Sequence, residues 1–173
     1  MRQTVAFVGL GANLGDTRAT LQAALHALAA LPGIRLLDCS SAWRSAPIEA
    51  SGPDFLNAVC RLQTALEPLQ LLDALQAIEQ EHGRQRPYRN APRTLDLDLL
   101  LYGELCLEHP RLSLPHPRLH QRAFVLLPLL ELGPGLATLE LADGRKLHDC
   151  LVDVADQRLQ RDDGLPLMMQ EAP

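Results

Sequence analysis

The run Thr94-Leu-Asp-Leu-Asp-Leu-Leu-Leu-Tyr102 constrains this chain more than any other segment. Leucine and aspartate alternate along it, the pattern of a strand with two unlike faces. Leu95, Leu97 and Leu99 share one face and need a core to cover them, while Asp96 and Asp98 share the other. Two carboxylates about 6 Å apart on one strand face repel by about 3 kcal/mol at an effective dielectric of ~20. A divalent cation between them reverses the sign of that term, and oxygen-only ligands suit a hard ion such as Mg²⁺. Two acids on a solvated face would show the same spacing. The ion is favoured because the strand is otherwise apolar and follows a loop carrying Arg84, Arg86, Arg89 and Arg93. Acids for a metal beside guanidiniums for anionic oxygens is the composition of a polyphosphate site.

The rest of the chain supplies partners for that strand. Residues 4–10, TVAFVGL, read as a strand ending in glycines. Asp16 and Thr17 are N-cap candidates for a helix with Leu21, Ala24, Leu25, Leu28 and Leu31 on one side, stopped by Pro32-Gly33. Residues 34–44 and 54–65 read as strands around a loop at 45–53. Glu67-Pro68 opens a second helix with Leu71, Leu72, Leu75 and Ile78 buried. Residues 103–118 read as irregular, and a helix is expected within 119–131, with Pro128 near a turn or kink. The order strand–helix–strand–strand–helix–strand is that of an α+β, ferredoxin-like (βαββαβ) antiparallel sheet with helices on one face. A single domain over residues 1–160 and a flexible tail over 161–173 are expected.

Composition narrows the function. The 173 residues carry a net charge of −5, which argues against nucleic-acid binding by bulk charge. Apolar runs are far shorter than the roughly 20 residues of a membrane helix, and the N-terminus lacks a signal-peptide pattern. A cytoplasmic enzyme of small molecules, working as a monomer, is expected. The 4 cysteines form no C-x-x-C pair and read as free thiols. His116 and His120 have a metal-like spacing, but Pro115 and Pro117 break the helix it would need. Gly9, Gly11 and Gly15 have neither dinucleotide-fingerprint nor P-loop spacing. Phe55 and Asn57 share a strand face, placing a ring beside an amide that suits a flat heterocycle.

The run from Arg89 to Leu100 resembles the signature of the 6-hydroxymethyl-7,8-dihydropterin pyrophosphokinases of folate biosynthesis. Further matching motifs follow in order: Gly11 to Gly15, Ser40 to Pro47, Asp54 to Asn57, Ile78-Glu79 with Gly83-Arg84, Leu114 to His116, and Arg122 with Phe124. Asn90, Ala12 and Pro117 depart from residues common in that family. The resemblance implies a ferredoxin-like fold and transfer of pyrophosphate from ATP to the pterin hydroxymethyl oxygen, with two Mg²⁺ ions. It implies Asp96 and Asp98 as metal ligands, and Arg84 and Arg93 as catalytic contacts to phosphate. Ser45, Ala46, Phe55, Asn57 and Phe124 would hold the pterin. Gln76, Glu79, Arg84, Arg86, Arg93, Arg111, Ser113, His116 and Arg122 would surround ATP. A Mg-dependent phosphohydrolase and a non-catalytic ferredoxin-like binding module are the alternatives.

Overall fold

A computed structural model describes residues 2–47, 52–82, 95–162, 164 and 167. Its centre is β1 (Thr4–Ala12), paired antiparallel with β4 (Phe55–Thr64) on one side and β5 (Asp96–Tyr102) on the other. The far side of β4 pairs with β2 (Ile34–Cys39) and then β3 (Trp43–Ser45). The single strand expected over 34–44 is thus two. At the break Ser40 donates its N–H to the Val59 carbonyl at 2.8 Å, while its Oγ, not its carbonyl, accepts the Val59 N–H at 2.9 Å. A side chain has replaced one rung of the ladder.

Directly paired residues point to the same side of a sheet, so the register sorts the strands into two faces. Ala6, Val8, Leu10, Leu56, Ala58, Leu62, Leu97 and Leu99 face α1 (Thr17–Ala30) and α2 (Pro68–Glu81) and form the first core with Leu21, Leu25, Leu28, Leu71 and Leu75. Asp16 caps α1 by accepting the Ala19 N–H at 3.0 Å, and Glu67 with Gln70 forms a capping box ahead of α2. Gly33 takes the positive φ of 80° needed to turn from α1 into β2.

The opposite face also carries a helix. α3 (Ala123–Glu131) reads AFVLLPLLE, too apolar to sit anywhere but in a core. It packs with 3-10 turns at 134–138 and 147–154 over Phe7, Val59, Leu100 and Leu101. Helices on one face therefore describes α1 and α2 only. Pro128 lies buried inside α3. Leu100 and Leu101 both reach this second core because the β1–β5 register slips between Phe7 and Val8, adding one residue to β5.

Two further elements fall where irregular chain or tail was expected. β6 (Leu107–His109) and β7 (Leu112–Leu114) form a hairpin, and β8 (Leu159–Arg161) pairs with β3. The boundary expected at residue 160 falls inside β8, and Leu167 packs in the first core.

Candidate active site

On the second face β1 contributes no side chains at Gly9 and Gly11. Gly11 lies opposite Asp96 on β5 and Asn57 on β4, and Gly9 lies opposite Asp98 and Val59. The row continues from Asn57 to Trp43 on β3 and Arg161 on β8. Asp96 with Asp98, and Phe55 with Asn57, each share a face as the alternation predicts, and the register puts both pairs on the same one, separated by a glycine floor. A Cβ at Gly11 would meet Asn57 Oδ1 at 3.3 Å and Phe55 Cδ1 at 3.7 Å. Glycine keeps that space clear.

Asn57 is buried and oriented by its neighbours. Its Nδ2 donates to the Trp43 carbonyl at 3.1 Å and to Ser45 Oγ at 2.8 Å. Both amide hydrogens are therefore spent inside the protein, and a carbonyl can only accept, so Oδ1 is the atom left to face a ligand. Ser45 is itself buried, with Ala46 exposed beside it. Phe55 is half-buried, as is Phe124 in the first turn of α3, where the Arg122 guanidinium lies 5.6 Å from its ring centroid.

The Asp98 end opens into a second space. β5 is the edge strand, and its outer backbone groups need partners from outside the sheet. Glu79 Oε2, buried on α2, accepts the Leu97 N–H at 3.2 Å, and His116 donates its N–H to the Leu100 carbonyl at 2.9 Å. Between α2, the β6–β7 hairpin and the 115–118 segment lies a cleft of about 290 Å³ lined by Leu72, Asp98, Arg111, Ser113, His116 and Pro117, among others. Arg111 pairs with Asp73 and reaches Gln76 Oε1 at 3.5 Å. Gln76, Arg111, Ser113 and His116 therefore gather around this cleft. Glu79 instead supports the strand from beneath.

His116 Nδ1 accepts the Arg118 N–H at 3.1 Å, which leaves the ring neutral with its proton on Nε2. Burial pushes its pKa below the ordinary value; Asp98 opposes this, and Arg122 and Arg118 reinforce it. Glu131, at the C-terminal end of α3, accepts the Trp43 Nε1–H. Arg84, Arg86 and Arg93 lie outside the described residues. Among the described residues no three His, Cys, Asp or Glu side chains cluster as a metal site. No helix there is long and apolar enough to cross a membrane.

Residues 7–134 match the sequence pattern of the family described as 7,8-dihydro-6-hydroxymethylpterin-pyrophosphokinase (HPPK). This chain is an HPPK family member. It is 49% identical over 156 residues to the 2-amino-4-hydroxy-6-hydroxymethyldihydropteridine pyrophosphokinase of Pseudomonas aeruginosa, covering 90% of this chain and 94% of that one. The Haemophilus influenzae enzyme of the same name is 40% identical over 155 residues, covering 89% and 95%. Among solved structures, an HPPK-DHPS in complex with substrates superposes with a TM-score of 0.69 at 12% identity, covering 87% of this chain. Wild-type Plasmodium falciparum HPPK-DHPS gives 0.63 at 14% identity over 85%. This chain spans 43% of either solved chain, and the likeness to them is one of fold. In this HPPK, sequence reasoning missed Trp43, Glu131, Arg161 and Asp162 around the amide end of the site. The one available signal was Trp43, the only tryptophan.

Proposed function

We propose that this HPPK transfers the pyrophosphoryl group of ATP to the hydroxymethyl oxygen of 6-hydroxymethyl-7,8-dihydropterin in folate biosynthesis. The observation that carries the reading is the shared face: Asp96 and Asp98 at one side of a glycine floor, Phe55 and Asn57 at the other. The acid pair suits two Mg²⁺ ions, since the donors are all oxygen and Gly9 and Gly11 leave the opposing strand bare; phosphate and water would complete the shells. When bound, the ions supply charge neutralisation and make the attacking hydroxyl more acidic.

The chain's own residues do the positioning. Asn57 Oδ1 accepts from the pterin edge, and Phe55 and Phe124 hold its ring. Arg111, Ser113, His116 and Gln76 hold the nucleotide in the cleft, while Arg84, Arg86, Arg93 and Arg122 meet the phosphates. The pterin oxygen bonds to the β-phosphorus of ATP, the β-phosphorus bond to the α–β bridging oxygen breaks, and AMP leaves with that oxygen. The hydroxyl proton passes to solvent. Such a transfer needs alignment and charge stabilisation, not a covalent nucleophile. The same reading makes the protein a cytoplasmic monomer with no nucleic-acid or membrane partner.

The test is AMP formation from ATP and Mg²⁺ with and without the pterin. Pterin-dependent AMP is expected. Pterin-dependent ADP would mean attack at the γ-phosphorus, pterin-independent hydrolysis would mean a phosphohydrolase, and no turnover would mean a binding module.

A further inference from the structure

The strand that orients Asn57 is short and would lie at the sheet edge without the C-terminal segment. β3 is three residues long and is cut off from β2 at 40–42. It supplies both acceptors for the Asn57 amide, the Trp43 carbonyl and Ser45 Oγ. β8 covers its outer side, with Arg161 opposite Trp43 and Leu159 opposite Ser45.

Two charged residues, Asp162 and Arg161, lock that pairing. The Asp162 carboxylate joins Arg18 of α1 to Arg44 of β3, the latter at 3.1 Å, and the Asp162 N–H donates to the Ala42 carbonyl at 2.9 Å. The Asp162 side chain is only 11% exposed. The Arg161 guanidinium lies 5.3 Å from the Trp43 ring centroid and 3.5 Å from Glu131, whose other oxygen accepts the Trp43 Nε1–H at 2.5 Å. Trp43 is thus gripped by α3 and β8 together. Burial raises the Asp162 pKa, but Arg18 and Arg44 outweigh it and keep the group below its ordinary value. The HPPK pattern ends at residue 134, well before this segment.

We propose that Asp162 and Arg161 are positioning residues for the pterin: they fix β3, and β3 fixes the Asn57 amide. This rests on the assignment of Asn57 to the pterin. Only the pterin end depends on the latch. The nucleotide cleft is lined from α2, β5 and the β6–β7 hairpin, whereas among the described strands β8 pairs with β3 alone.

The experiment measures the Kd of 6-hydroxymethylpterin in the presence of Mg²⁺ and α,β-methylene-ATP, and the KM of ATP, for the parent, Asp162→Ala, Asp162→Asn and Arg161→Ala. Trp43 emission reports whether β3 has moved. Asp162→Ala is expected to weaken pterin binding about tenfold and red-shift Trp43, with ATP KM within about twofold of the parent and Asp162→Asn intermediate. Pterin Kd unchanged in the folded variants, or pterin and ATP affinity falling together, would overturn the proposal. If Asp162→Ala does not fold, Arg161→Ala decides by the same criteria. A parent that binds the pterin without forming AMP refutes the reaction but leaves this proposal to be judged on Kd. A parent that does not bind it overturns both.

Discussion

Ser45 Oγ lies 2.8 Å from Asn57 Nδ2, and this contact turns a two-sided amide into a one-sided acceptor. Removing it leaves Nδ2 with the Trp43 carbonyl alone. Ser45→Ala is expected to raise the pterin KM about tenfold, equivalent to about 1.4 kcal/mol, with little change in ATP KM. Steady-state kinetics with each substrate varied in turn checks this.

Asp96→Ala and Asp98→Ala are expected to lower turnover by about a thousandfold or more, because each removes a carboxylate of the proposed Mg²⁺ pair. Both variants should still unfold cooperatively, since the leucine face of β5 that packs in the first core is untouched. AMP release and thermal unfolding in the same preparations check both halves. Near-parental activity in either variant would remove it from the metal site.

The two floor glycines should respond differently. At Gly11 a Cβ falls 3.3 Å from Asn57 Oδ1, whereas at Gly9 it meets the Leu100 side chain at an ordinary 3.5 Å. Gly11→Ala is expected to raise the pterin KM several-fold. Gly9→Ala should leave the fold intact with a smaller effect. Pterin titrations on both variants provide the comparison.

Glu79→Ala would strand the buried Leu97 N–H, whose carboxylate partner is 3.2 Å away. A loss of about 1–3 kcal/mol of stability is expected, seen as a lower urea midpoint. An ATP-contact role alone would raise ATP KM and leave that midpoint unchanged.

His116 sets a pH dependence. Its folded pKa is depressed, chiefly by burial, so the unfolded chain takes up its proton first as pH falls. The stability linked to this group is complete above its unfolded pKa of about 6.5 and is lost as pH falls through the folded value. The stability difference between the parent and His116→Gln should therefore be constant at pH 7–8 and shrink on acidification below about 6.5. Denaturant titrations across that range measure it.

The leucine–aspartate alternation was enough to place Asp96 and Asp98 on one face and their neighbouring leucines in the core. The caps and stops of α1 were equally local, since Asp16 and Pro32-Gly33 act within a few residues of themselves. What escaped sequence reading was long-range. Leu-Gln-Arg at 159–161 has no periodicity long enough to mark a strand, and becomes one only because β3 has a free edge to pair. The 107–114 hairpin is built from two three-residue strands, below the length at which alternation is informative. The resemblance placed Glu79 around ATP, but no local pattern marks the bond its carboxylate accepts from the Leu97 N–H at the edge of β5. The second helical layer was visible in the apolar run of α3, but not which face it would cover.

The row from Asp96 through Gly11 to Asn57 crosses three strands at right angles to the chain. Neighbouring strands are held about 4.8 Å apart by their hydrogen bonds, so the acid end and the amide end stand roughly 10 Å apart in the backbone. The sheet is in effect a ruler. A molecule gripped at both ends is selected by its length, and that measure is written into the ladder itself, where no single side-chain substitution can reset it.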